Sequence, residues 1–209
     1  MCGLFGFIGT RMDIGLVSTL ATLAETRGPH AYGFAWLGHD GQPHTFTSPG
    51  QITHNKRALL SIVDVPAFIG HCRLSTSGPP QNNTNNQPLL MGDIALAHNG
   101  NVYAYQQRYA LHNYVPKTSN DSEAMLLEIF SGFGTLRERA RSAWTVVGPY
   151  TPLAALVLSP SGIAALRRYH PLYALTTPAG VYLCSRQFAS ATLLEEDVVH
   201  FWDKETLTV

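Results

Sequence analysis

Cys2 stands out first in this sequence. Methionine at position 1 is generally trimmed when the second residue is small, and cysteine qualifies. Trimming would leave a cysteine whose own α-amine is free, so that one residue supplies both a thiol nucleophile and a base. The unperturbed pKa of an α-amine, ~7.7–8.0, leaves a useful fraction unprotonated at neutral pH, able to take the thiol proton directly or through one water. On position alone the plainer reading is a small residue at a terminus. Three other clusters offer partners for such a nucleophile. His71-Cys72-Arg73-Leu74-Ser75-Thr76-Ser77-Gly78 runs from an apolar strand into a glycine turn, a place where substrate-orienting groups tend to sit. Arg73 could clamp a carboxylate bidentately and Thr76 could add a hydroxyl donor, against the plainer reading of an arginine in a structural ion pair. In Ala97-His98-Asn99-Gly100-Asn101 the Asn99 amide and the Gly100 N–H could form an oxyanion hole, although Asn-Gly is also the commonest hairpin dipeptide. In Thr118-Ser119-Asn120-Asp121-Ser122-Glu123 Asp121 could hold an ammonium group, or the segment could simply cap a helix.

The elements that must position these groups can be read from the apolar pattern. Residues 3–9 are apolar with interspersed glycines and suggest a strand packed closely on its neighbours. Asp13 is placed to cap a helix carrying Leu16, Leu20 and Leu23, which Arg27-Gly28-Pro29 ends. Tyr32–Leu37, Phe68–Leu74 and Ile94–His98 read as strands, and His39-Asp40-Gly41 as a hairpin turn. The polar stretch Ser77–Pro88 reads as an exposed loop. Asn120–Phe130 is expected to be a helix capped at Asn120, and Leu136–Ala143 a second one capped by Thr135. Short strands follow at Leu153–Ser159, Gly162–Arg168, Leu172–Thr176, Val181–Ser185 and Val198–Trp202, with a last one running to Val209. Strands and helices followed mostly by strands indicate an α+β fold with antiparallel sheets.

Composition sets the boundaries. The 209 residues are 45% hydrophobic and 13% charged, enough for a packed core and unlike a disordered chain. Lys+Arg and Asp+Glu both number 14, so there is no basic excess to meet nucleic acid. No apolar run approaches the ~18 residues of a membrane helix, and the apolar N-terminus lacks a signal peptide's basic region. The expectation is a cytoplasmic chain folded as one domain over 2–209. Three cysteines, Cys2, Cys72 and Cys184, argue against a disulfide framework. Cys184 reads as a buried thiol. His71 and Cys72 are strand neighbours facing opposite ways, so no metal site is expected.

Taken in order, Cys2-Gly3-Leu4-Phe5-Gly6, Arg27-Gly28-Pro29, His71-Cys72-Arg73-Leu74-Ser75-Thr76, His98-Asn99-Gly100 and Asp121-Ser122-Glu123 resemble the glutaminase domain of class II glutamine amidotransferases, which are N-terminal-nucleophile hydrolases. The resemblance spans nearly the whole chain. It implies a four-layer αββα sandwich of two antiparallel sheets, with no cofactor. It further implies that Cys2 is the nucleophile and its α-amine the base, that Asn99 and Gly100 hold the oxyanion, and that Arg73 and Asp121, with Thr76, bind glutamine.

Two departures qualify that resemblance. The family's Arg-Gly-x-Asp segment reads Arg27-Gly28-Pro29-His30 here, so an imidazole replaces a carboxylate and local hydrogen bonding or pH response should change. No synthase domain is visible before Val209, so ammonia would pass to a synthase on a separate chain. The alternatives are an amidohydrolase of another γ-glutamyl compound and a catalytically silent binding or regulatory module.

Overall fold

The structure is a computed structural model describing residues 1–75, 78–148 and 150–205. In chain order its main elements are β1 (Gly3–Gly9), α1 (Ile14–Glu25), β2 (Ala31–Leu37), β3 (Pro43–Pro49), β4 (Ala67–Arg73), β5 (Leu89–Met91), β6 (Ile94–Gly100), α2 (Tyr105–Leu111), α3 (Ser122–Ser131), α4 (Leu136–Val147), β7 (Leu153–Ser159), β8 (Gly162–Arg168), β9 (Tyr173–Thr177), β10 (Gly180–Cys184), β11 (Thr192–Leu193) and β12 (His200–Asp203). They form two sheets. One runs β11-β9-β10-β1-β4-β2-β3 and the other β12-β8-β7-β6-β5. All strand pairings between these elements are antiparallel.

Three buried clusters define the layers. Leu4, Ile8, Ile69, Ala97, Leu156 and Leu183 pack between the two sheets. Phe5, Phe7, Phe34 and Phe68 face the other way, onto Val17, Leu20, Ala21 and Ala24 of α1. Leu96, Val157 and Leu166 face Ala124, Leu127, Ala140 and Trp144 of α3 and α4. The order helix, sheet, sheet, helix is the expected αββα sandwich.

The local chemistry explains the central elements. All seven residues of β1 are buried, as a strand covered on both faces requires. Phe5 meets Phe34 and Phe68 edge-on at 5.9 and 5.8 Å, a geometry worth about 0.5–1.5 kcal/mol per pair beyond area burial. Asp13 caps α1 by accepting from the N–H groups of Gly15 and Leu16, and Thr135 and Glu138 form a capping box on α4. Gly3 is required where β1 meets α1, because a Cβ there would stand 2.0 Å from the Ala24 carbonyl oxygen.

Several expectations need correction. The 77–88 stretch is a loop, but Asn85, Asn86 and Gln87 are buried, because their amides pair with groups around them. Helix α3 begins at Ser122, with Asp121 rather than Asn120 at the cap position; Asn120 still contributes by accepting the Ser122 N–H at 3.0 Å. The 3-10 turns over Ile52–Ile62 and helix α2 had no clear apolar period in the sequence. The last strand was expected over Val198–Trp202 with a further one to Val209; the structure gives β12, and residues 206–209 lie outside the described residues. No described helix is long and apolar enough to cross a membrane.

Candidate active site

Strand alternation brings the candidate residues together. Leu4, Ile69 and Ala97 all face the space between the sheets. Two residues along each strand, Cys2, His71 and Asn99 continue the same faces, and Arg73 follows His71. The pairing of Gly3 with Cys72 sets Cys2 beside the exit of β4. The four side chains therefore gather at one end of the sandwich, where α3 also begins. A cavity of about 50 Å³ there is lined by Cys2, Arg73, Gln87, His98, Gly100 and Asp121, among others.

The Cys2 N–H donates to Asn99 Oδ1 at 2.9 Å, and Arg27 Nε donates to the Cys2 carbonyl at 2.9 Å. The Cys2 thiol lies 3.8 Å from the Leu74 carbonyl oxygen. Burial raises its pKa, while that carbonyl contact, the nearby terminal amine, Arg73 and Arg27 pull the other way. Asn99 thus uses its oxygen on Cys2, and its Nδ2 is buried with no hydrogen-bond partner among the described residues. A buried amide N–H group left unpaired is costly. Gly100, the next residue, has φ +154, in the region that favours glycine.

Arg73 Nη1 donates to Asn86 Oδ1 at 2.8 Å and Nη2 to the Gly78 carbonyl at 3.3 Å. Ser75 Oγ donates to the same carbonyl at 2.7 Å. The Gly78 carbonyl and Asn86 are therefore held against the Arg73 guanidinium. Asp121 Oδ2 accepts the Val102 N–H at 2.5 Å, and burial raises its pKa. Thr76 lies outside the described residues. His30, where an altered hydrogen-bond pattern was expected, accepts the Ser75 N–H on Nδ1 at 3.0 Å, so the imidazole supplies an acceptor to the loop at the site's rim.

Sequence reasoning missed the supporting shell. Asn86 holds Arg73, and Gln87 and Ser122 hold His98. The only signal for Asn86 and Gln87 was a run of amides ahead of Pro88, which reads as a plain polar loop, while Ser122 stood unassigned within Asp121-Ser122-Glu123. Among the described residues no three His, Cys, Asp or Glu side chains group as metal ligands would.

The architecture and this cluster have known counterparts. No family model matches the chain. The glutamine–fructose-6-phosphate aminotransferase of Bacillus licheniformis is 34% identical over 147 residues, which is 67% of this chain and 24% of that protein. The enzyme of the same name from Caldanaerobacter subterraneus is 27% identical over 180 residues, 82% of this chain and 29% of that one. The chain thus spans about a quarter of the length of these curated relatives. Among solved structures, the allosteric regulatory enzyme of purine biosynthesis superposes with a TM-score of 0.75 at 25% identity, over 93% of this chain and 45% of that one. A glutamine aminotransferase class-II domain protein from Silicibacter pomeroyi shares the fold, with a TM-score of 0.66 at 15% identity over 97% of this chain and 99% of that one. Fold and relationship together place the chain among the class II glutamine amidotransferase domains, with the N-terminal-nucleophile architecture.

Proposed function

We propose that this chain hydrolyses the side-chain amide of glutamine, with Cys2 as nucleophile once Met1 has been removed. One observation carries the reading. The Cys2 nitrogen stands 2.9 Å from Asn99 Oδ1, at a cavity that Arg73, Gly100 and Asp121 also line. With Met1 gone, that nitrogen becomes an amine held beside its own thiol.

The chemistry follows from those positions. The α-amine takes the thiol proton, and sulfur attacks the amide carbon of glutamine. The carbonyl oxygen becomes an oxyanion facing Asn99 Nδ2 and the Gly100 N–H, each such donor being worth roughly 2.7–4 kcal/mol in acyl transfer. The ammonium returns its proton to the departing nitrogen, ammonia leaves, and water cleaves the γ-glutamyl thioester to glutamate. Arg73 pairs with the substrate's α-carboxylate and Asp121 with its α-ammonium, so an analogue lacking either charge forfeits one of those ion pairs. Asp121 is raised by burial, and a substrate ammonium beside it would favour its ionised form.

The cavity holds the volume of a few waters, so Asn86 and the Gly78 carbonyl must move off Arg73 to admit glutamine and return behind it. Equal protease sensitivity of residues 78–86 with and without a glutamine analogue would rule that motion out. The ammonia is proposed to serve a synthase on a separate chain, which a pull-down identifies. The same experiment separates this reading from an amidohydrolase acting alone on other γ-glutamyl compounds.

The decisive experiment is intact-protein mass after incubation with 6-diazo-5-oxo-norleucine, a glutamine mimic that alkylates the nucleophile. The expected product lacks Met1 and carries one adduct on Cys2. A processed protein that takes no adduct overturns the assignment.

A further inference from the structure

His98 lies one residue from the oxyanion strand's Asn99 and has no role in the steps above. Its surroundings are specific. Gln87 Oε1 accepts the His98 backbone N–H at 2.7 Å. Gln87 Nε2 donates to Ser122 Oγ at 3.1 Å. Ser122 Oγ lies 2.9 Å from His98 Nδ1. The directions of these bonds are fixed in turn. Because Gln87 turns its oxygen to the backbone N–H, its NH₂ faces Ser122, and Ser122 Oγ accepts a hydrogen bond there. Ser122 then has its own hydroxyl proton to give, and His98 Nδ1 is the acceptor in reach. An imidazole that accepts on Nδ1 carries its proton on Nε2.

That Nε2–H is buried with no partner among the described residues. It abuts Gly100: a Cβ built on Gly100 would stand 2.7 Å from His98 Nε2 and 2.7 Å from the Pro152 carbonyl oxygen. The ring therefore stands against Gly100, with its Nε2 atom beside the place a side chain there would take. The imidazole is neutral at working pH, since burial holds its pKa down at about 4.

We propose that His98 is a positioning residue of the oxyanion hole, held as the Nε2–H tautomer by the Gln87–Ser122 relay. The inference rests on the glutaminase reading above and adds to it a second layer that orients the Asn99–Gly100 donors and presents a fixed dipole behind them. Such a dipole acts on charge that develops in the transition state, so it alters kcat and leaves glutamine binding alone.

Two measurements test it on the processed full chain. Long-range 1H–15N NMR of the histidine rings reports the tautomer without reference to activity. His98 is expected as Nε2–H, and a wild-type Nδ1–H tautomer overturns the proposal. Gln87→Glu keeps the shape but reverses the relay: an ionised carboxylate accepts from Ser122, which must then accept from His98, moving the ring proton to Nδ1. At alkaline pH this variant, and Ser122→Ala, which removes the relay, are expected to lose about tenfold in kcat for glutamate release, with KM for glutamine unchanged. An unchanged kcat in a Gln87→Glu protein that NMR shows in the Nδ1–H form overturns it, as does a loss carried by KM. A wild-type protein that does not release glutamate overturns the glutaminase reading instead, and the NMR result still stands on its own.

Discussion

Removing the Asn99 side chain tests the central geometry most directly. Its two ends do different things: Oδ1 accepts from the Cys2 nitrogen at 2.9 Å, and Nδ2 is buried and unpartnered among the described residues. Asn99→Ala deletes both. For stability, the loss is one hydrogen bond, about 1 kcal/mol, partly offset because an unpaired buried donor disappears. In a domain of this size that shifts Tm by about 2–4 °C. For catalysis, the loss is one oxyanion donor, about 2.7–4 kcal/mol or roughly 10²–10³ in kcat. The prediction is thus a barely destabilised protein with a kcat hundreds of times lower and a KM for glutamine close to wild type. Asn99→Asp sharpens it, since the carboxylate keeps the acceptor and loses the donor, and it should be as slow as the alanine variant at alkaline pH. The assay is glutamate release over a range of glutamine concentrations, alongside a thermal melt. A kcat within about threefold of wild type, or a loss wholly in KM, would refute the reasoning, because a donor used only in the transition state must show itself in kcat.

Other outcomes follow from the same geometry. Cys2→Ser should lose glutamate release by orders of magnitude while calorimetry still detects glutamine binding; full activity would remove Cys2 from its role. Arg73→Ala should weaken glutamine binding by about 2 kcal/mol or more, because a buried charge pair loses one partner, and an unchanged affinity would dismiss Arg73 as the carboxylate clamp. Gly3→Ala should cost about 1–3 kcal/mol through overpacking against the Ala24 carbonyl and slow alkylation of Cys2 by the diazo analogue; a melt equal to wild type would show that α1 yields freely. Burial depresses His71 to about 3 and His98 to about 4, below the ordinary value near 6.5 that they regain on unfolding. The unfolded chain then binds more protons, so both histidines stabilise fully above pH ~6.5 and cost ~1.4 kcal/mol each per pH unit as the pH falls below it. Urea midpoints that do not move between pH 6 and 5 would contradict that burial.

The layers of this fold were legible because β1, β4 and β6 are continuous apolar runs and Asp13 and Thr135 are strong caps. The candidate cluster was legible because its members stand at strand ends: Arg73 closes β4 and Asn99-Gly100 closes β6. What composition concealed was the fate of polar residues. Asn85, Asn86 and Gln87 look like loop solvent contacts, yet each is buried and paired, Asn85 with Ser119, Gln87 with Ser122 and Asn86 with Arg73. Long-range amide pairing leaves no periodicity to read. The same holds for α2, whose cap residue Ala104 has φ +55 and supplies no capping side chain.

The placement of β1 bears on the order of events as the chain is made. It is the first strand of the sequence, yet it lies inside the larger sheet, paired on one side with β4 and on the other with β10. Its second partner emerges only with residues 180–184, so β1 cannot be held on both edges until those residues have been made. Through that wait, anything upstream of Cys2 is open to an aminopeptidase; afterwards the Cys2 nitrogen is hydrogen-bonded to Asn99 and its carbonyl to Arg27. On the proposed reading, freeing the Cys2 amine is thereby a task for the nascent chain, and a tag fused ahead of Cys2 should block glutamate release while leaving a folded protein.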